Sequence, residues 1–186
     1  MPWQTRTSRT VYENRWIKVR EDEVTRPDGA DGIYGVVETR HPAVFVVPVT
    51  DADEVVLVRI DRYATGRRSL EIPAGGSDGE DPLVAARREL REESGYAASD
   101  WQLLGDVFSL NGVSNAPGHV FLARGLNRSG GEETVEEMAE EGIVGVELVA
   151  WPDLIEMIGR GEIHDAETLA ALLHAAVALG RVSPKA

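Results

Sequence analysis

The chain has 186 residues, 42% of them hydrophobic and 27% charged, with 32 acidic against 19 basic side chains and a formal net charge of −13. That length suits one domain, or one domain with an extension, around a sizeable core, and the acidity argues against the basic footprint that nucleic-acid polymers require. There is no cysteine, which excludes disulfides, a thiolate nucleophile and a cysteine–zinc site; no run approaches the ~18 apolar residues of a membrane span.

The first residues, MPWQTRTSRT, contain no apolar stretch of signal-peptide type, so the default compartment is the cytoplasm. Residues 10–12 and 16–24 read as strands, the second (WIKVREDEV) alternating apolar and charged side chains. Pro27-Asp28-Gly29 is a turn, and IYGVVET at 33–39 is another strand. Residues 1–40 therefore predict a small antiparallel sheet, an edge layer or dimerisation element, in which Trp3 and Trp16 cover core or meet a partner. AVFVVPV at 43–49 is nearly continuous apolar chain of the buried type. After the turn Asp51-Ala52-Asp53, EVVLVRI at 54–60 is expected to pair with it as a hairpin. Residues 61–69 are polar and hold Arg62, Arg67 and Arg68; residues 70–72 form a short strand.

Residues 73–96, PAGGSDGEDPLVAARRELREESGY, begin as a glycine-rich turn and continue as a helix. Asp81 is a good N-cap, Pro82 a good first helical residue, and Gly95 sits where a helix end favours a left-handed residue. On a 3.6-residue period Leu83, Ala86 and Leu90 form an apolar stripe, while Glu89, Glu92 and Glu93 share one face. Acids near a helix C-terminus oppose the macrodipole by ~0.3–1 kcal/mol each and repel one another. Two explanations fit: a solvated acidic face, or ligation of a hard divalent cation such as Mg²⁺ or Mn²⁺.

Further on, residues 101–110, 119–123 and 143–151 read as strands and 111–118 as a loop. Residues 127–142 (NRSGGEETVEEMAEEG) read as a strongly acidic loop, 153–158 and 165–179 as helices, and the terminal SPKA as frayed. The layout is α/β (α+β): a mixed sheet with helices packed on it. The four histidines are scattered without zinc-ligand spacing, and no nucleophile-elbow pattern is present.

Residues 73–96 also resemble the signature of the Nudix hydrolase superfamily, G-x5-E-x7-R-E-U-x-E-E-x-G-U with U a bulky apolar residue. Glu80, Arg88, Glu89, Leu90, Glu92, Glu93, Gly95 and Tyr96 stand at the required spacing. Each position matches by chance about once in ten to twenty, so their joint occurrence is not accidental. The signature's first glycine falls on Ala74, with Gly75 one place late. Beyond this box, WIKVREDEVTRPDG, RRSLEIPAGG, HVFLARGL and GEIHDAETLAALL resemble the ADP-ribose pyrophosphatase branch. The resemblance implies a Nudix fold, a mixed sheet sandwiched between helices, at residues 41–186. It also implies an antiparallel extension at 1–40 that serves a homodimer and contributes to the partner's substrate site. It makes Glu89, Glu92, Glu93 and the carbonyl of Ala74 metal ligands for Mg²⁺, with Mn²⁺ as the alternative. Glu80 and Arg88 would support them, and Arg62, Glu71, Trp16 and Asn111 would contact a small nucleotide-type substrate. Asn111 stands where ADP-ribose-specific members carry a proline sixteen residues after the box's last glycine. The general base would be a late-loop glutamate, Glu140 or Glu141, or Glu92 of the box. The implied activity is Mg²⁺-dependent hydrolysis of a nucleoside diphosphate linked to another moiety. The alternative is a sensor that binds ADP-ribose-like ligands without cleaving them.

Overall fold

The computed structural model describes residues 2–182; the SPKA tail, expected to be frayed, lies outside the described residues. In chain order the elements are β1 (Gln4–Glu13), β2 (Ile17–Thr25), β3 (Asp31–Thr39), β4 (Ala43–Pro48), β5 (Glu54–Arg62), β6 (Arg67–Glu71), β7 (Ala74–Gly76) and α1 (Pro82–Ser94). They continue with β8 (Tyr96–Phe108), β9 (Ser114–Asn115), β10 (Pro117–Arg128), α2 (Glu132–Glu140), β11 (Ile143–Ala150), α3 (Trp151–Gly159) and α4 (Ala166–Ala178). The strands form three sheets, ordered β1-β2-β3-β9, β7-β4-β10-β8 and β11-β5-β6. Pairing is antiparallel except for β4 with β10 and β3 with β9, which are parallel.

Strand alternation divides the core between two helical layers. On β4 and β10, Phe45, Val47, Val120 and Leu122 face one way, into a cluster with Leu154 of α3 and Ala171, Leu172 and Ala175 of α4. Val44, Val46, Phe121 and Ala123 face the other way, against Ala85, Ala86 and Leu90 of α1. Both faces of β4 are buried, which explains why its sequence is apolar without alternation.

The expected 43–49/54–60 hairpin is not formed as a ladder. β4 is flanked by β7 and β10, and β5 by β6 and β11, so the two strands belong to different sheets. They are joined by the bridge Val49↔Val55 and by turn bonds between Thr50 and Glu54, among them Thr50 N–H to the Glu54 carbonyl and Glu54 N–H to the Thr50 hydroxyl. Turn propensity marked the reversal, but strands buried on both faces can take any apolar neighbour. The true hairpin is β5–β6, running from Val58↔Glu71 to Arg62↔Arg67.

The acidic segment 127–142 is also corrected: it is not a loop throughout, for β10 extends to Arg128 and Glu132–Glu140 is helical. No breaker stands between Gly131 and Gly142, and Glu, Met and Ala favour helix. Packing against α1 then outweighs the repulsion among the acids.

In the front sheet β1 is exposed along its whole length, and Trp3 and Trp16 are exposed rather than in the core. The sheet is tied to the rest through the loop after β8. Tyr34 donates its hydroxyl hydrogen to the Gly112 carbonyl at 2.5 Å, and Val37 N–H bonds the Val113 carbonyl at 3.0 Å.

Candidate functional site

The α1 helix is defined by its ends. The Asp81 carboxylate accepts from Leu83 N–H at 2.9 Å, and Gly95 (φ +70°) closes the last turn, donating to the Arg91 carbonyl at 2.9 Å. Between these caps, Glu89 and Glu93 lie one turn apart on the inward face with Ala86 and Leu90, only 4% and 2% exposed. Glu93 is anchored by the Ala74 N–H of β7 at 2.7 Å. A third carboxylate, Glu141, reaches the pair from the end of α2. Oxygens of Glu89, Glu93 and Glu141 all lie within 4.8 Å of one another.

Of the remaining candidates, Glu92 lies outside this trio and is engaged by two arginines, Arg88 at 3.1 Å and Arg91 at 2.8 Å. Glu140 is exposed and also outside it. Arg88 links the box together: it reaches Glu80 at 2.9 Å, Glu89 at 2.7 Å and the Gly76 carbonyl at 2.9 Å. Ala74 meets the group through its N–H.

Burying acids this closely raises their affinity for protons. Burial, reinforced by the charges of Glu141 and Glu92 and opposed by Arg88, lifts Glu89 to about 7. Burial also pushes Glu93 well above the usual carboxylate range, with Glu89 and Glu141 adding to the effect. The Ala74 N–H and Arg62 oppose it. An all-oxygen donor set of converging carboxylates suits a hard divalent cation, whose charge would offset the repulsion. The arrangement therefore fits a divalent metal.

Gly75 shows how closely β7 and α1 approach. A Cβ placed there would stand 2.3 Å from the Glu89 carboxylate carbon. Because that carboxylate ends a flexible side chain, Gly75→Ala is expected to fold and to push Glu89 off the group. Its divalent-ion affinity, measured by calorimetry, should fall by about tenfold or more, the loss typical of a disturbed ligand environment, with little change in thermal midpoint.

A cleft of about 420 Å³ has walls that include Arg62, Ser69, Glu71, Phe108, Asp165 and Glu167. A smaller hollow of about 240 Å³ shares Arg62, Glu71, Asp165 and Glu167 with it and extends to Ala74. Arg62 and Glu71 form a forked ion pair, with N–O distances of 3.1, 3.2 and 2.5 Å, at the junction. Asn111 is exposed, next to Leu110 of the cleft wall but not itself in the wall. Trp16 lines neither cavity; it is 60% exposed with the Arg15 guanidinium 4.0 Å from its ring centre. Arg67 is exposed, and Arg68 is paired with Asp61 at 2.7 Å. Sequence reasoning missed Asp165 and Glu167. The available signal was the helix start in HDAET, where Asp165 caps α4 by accepting from Thr168 N–H at 2.7 Å.

Residues 39–172 match the family described as NUDIX domain, and residues 3–37 that described as nucleoside diphosphate sugar hydrolase N-terminal domain. An ADP-ribose pyrophosphatase of Mycobacterium tuberculosis is 34% identical, covering 98% of this chain and 88% of its own. One from Bacillus subtilis is 32% identical, over 87% of this chain and 86% of its own. In fold, the chain is similar to the crystal structure of an ADP compounds hydrolase, with a TM-score of 0.78 and 23% identity over 97% of both chains.

Proposed function

The chain belongs to the Nudix hydrolases, and on that premise we propose that it splits the pyrophosphate of ADP-ribose or a related nucleotide sugar, releasing a nucleoside monophosphate and a sugar phosphate. The observation that carries this reading is the convergence of Glu89, Glu93 and Glu141, connected through Ala74 to a hollow that shares the Arg62–Glu71 pair with the larger cleft. Mg²⁺, or Mn²⁺, would be held by the box glutamates Glu89 and Glu93, with Glu92 and the Ala74 carbonyl as the further ligands of this reading, and would supply positive charge for the phosphate oxygens and acidify a water.

The protein's own groups do the rest. Arg62, held by Glu71, orients the phosphates at the junction between the two cavities, and the cleft takes the sugar. Glu141 takes the proton of the attacking water; Glu140 and Glu92 are the alternatives, and Glu141 is favoured because its oxygen already meets Glu89 and Glu93. Water adds at phosphorus, the anhydride oxygen leaves with its electron pair, and for ADP-ribose the products are AMP and ribose 5-phosphate. Glu80 and Arg88 keep the box assembled.

Residues 1–40 act in this reading as an extension to a hydrolase domain at 41–186, and the working form is a cytoplasmic homodimer. Exposure of β1 on both faces, with Trp3, Trp16 and Ile33 uncovered, supports a partner there, and Trp16 and Asn111 would then serve a site completed by that partner. No helix among the described residues is long and apolar enough to cross a membrane. The test is incubation with Mg²⁺ and a panel of nucleotide sugars, dinucleotides and nucleoside triphosphates. Monophosphate release from the sugars is expected. Binding of ADP-ribose with no turnover of any compound would replace this reading with the sensor.

A further inference from the structure

Glu141 reaches the Glu89–Glu93 pair from a segment with little structural support of its own. The α2 helix has nine residues and no side-chain N-cap, and it starts after Gly130 and Gly131. Gly142, at φ +79°, follows directly on Glu141. A helix this short is not stable alone, since isolated helices need ~12–15 residues, so its position depends on what it packs against. Met138 packs α2 against Val58, Ile60 and Ile143, and Asp61 N–H holds the Gly142 carbonyl at 2.9 Å; two further contacts tie the helix to α1. Its start is pinned to the α1 C-cap, where Ser129 and Gly130 N–H both donate to the Gly95 carbonyl at 2.9 and 3.1 Å. Its far half is held by Arg91, which bonds Glu137 through both terminal nitrogens at 3.2 and 3.4 Å. The same guanidinium holds Glu92 at 2.8 Å, so its orientation is set from α1.

Glu137 and Glu141 are four residues apart, one turn along the segment, and so share a face. Drawing Glu137 onto Arg91 therefore turns Glu141 towards Glu89 and Glu93. We infer that Arg91 is a positioning residue: its ion pair with Glu137 clamps the far half of α2 against α1 and sets how much of the time Glu141 completes the glutamate group. The effect on turnover rests on the proposed function; the effects on α2 and on metal affinity do not.

Arg91→Gln, Glu137→Gln and the double variant test the clamp by three readouts: hydrogen exchange of residues 134–141, titration with Mn²⁺ alone, and kcat against KM. A partly exposed ion pair of this kind predicts about a fivefold effect. Each single variant should exchange faster in α2, bind Mn²⁺ about fivefold more weakly and lose about fivefold in kcat with KM unchanged. Adding Glu137→Gln to Arg91→Gln should change nothing further, because the partner is already gone, and Arg91→Lys should restore part of the loss. Unchanged exchange and Mn²⁺ affinity in Glu137→Gln would overturn the clamp, as would losses that multiply in the double variant. Should the wild-type protein turn over no substrate, the proposed function fails while the exchange and Mn²⁺ measurements still decide the clamp.

Discussion

Glu93→Gln is expected to lower kcat by about three orders of magnitude, corresponding to the several kcal/mol that metal-ion stabilisation of phosphoryl charge supplies. The fold should survive. Glutamine has the same shape, and its amide oxygen can still accept from Ala74 N–H, the bond that now holds Glu93 at 2.7 Å. What changes is charge. Glu93 is 2% exposed, and burial of its carboxylate is the main cause of its raised proton affinity. In a chelator-treated sample at neutral pH the neutral amide removes that penalty, so the variant should melt higher than wild type. With Mg²⁺ or Mn²⁺ present the order should reverse, because only wild type is stabilised by binding to the folded state. Calorimetric melts with and without the cation, alongside kcat, measure both effects. Activity within about tenfold of wild type would show that the reacting centre lies elsewhere.

The second large effect is a dependence of stability on pH that the metal inverts. Glu89 rises from 4.5 to about 7 on folding. Between those values the native state binds more protons than the unfolded chain, so stability is greatest at the low end and falls as pH rises through the window. At ~1.36 kcal/mol per unit the fall amounts to about 3 kcal/mol, and Glu93 shifts in the same direction. The acids with lowered values, Asp22, Glu38 and Asp61, lose their contribution only as pH falls below the ordinary carboxylate range. They therefore do not mask the window. Denaturant melts of chelator-treated protein should show stability declining from pH 5 to 7.5, with a flatter profile for Glu89→Gln. A divalent cation needs deprotonated ligands, so its stabilising increment should grow over the same range. An increment independent of pH would mean that the cation binds away from these carboxylates.

Residues 73–96 could be read from their order alone because everything that defines α1 is local. Asp81, Pro82 and Gly95 punctuate it, and helical spacing puts Glu89 and Glu93 on one face whatever surrounds them. For Glu92 the spacing alone says less. It is a neighbour of Glu89 and Glu93 by period, and in the folded chain it pairs with Arg88 and Arg91. Period sorts side chains into stripes, and packing chooses which stripe faces inward.

Long-range pairing was not legible in the same way. An apolar strand such as β4 carries no label for its partners, so the turn at residues 51–53 suggested a hairpin where two sheets diverge. Likewise residues 127–142 read as an acidic loop because the partner of Glu137, Arg91, lies far back in the chain. Composition, spacing and caps were enough to identify the family resemblance, the α1 helix and its acidic face. The membership of Glu141 in the glutamate group, the Arg62–Glu71 junction with Asp165 and Glu167, and the raised proton affinities of Glu89 and Glu93 came from the folded chain. Each depends on which distant segments exclude water from a given atom, and no local pattern encodes that.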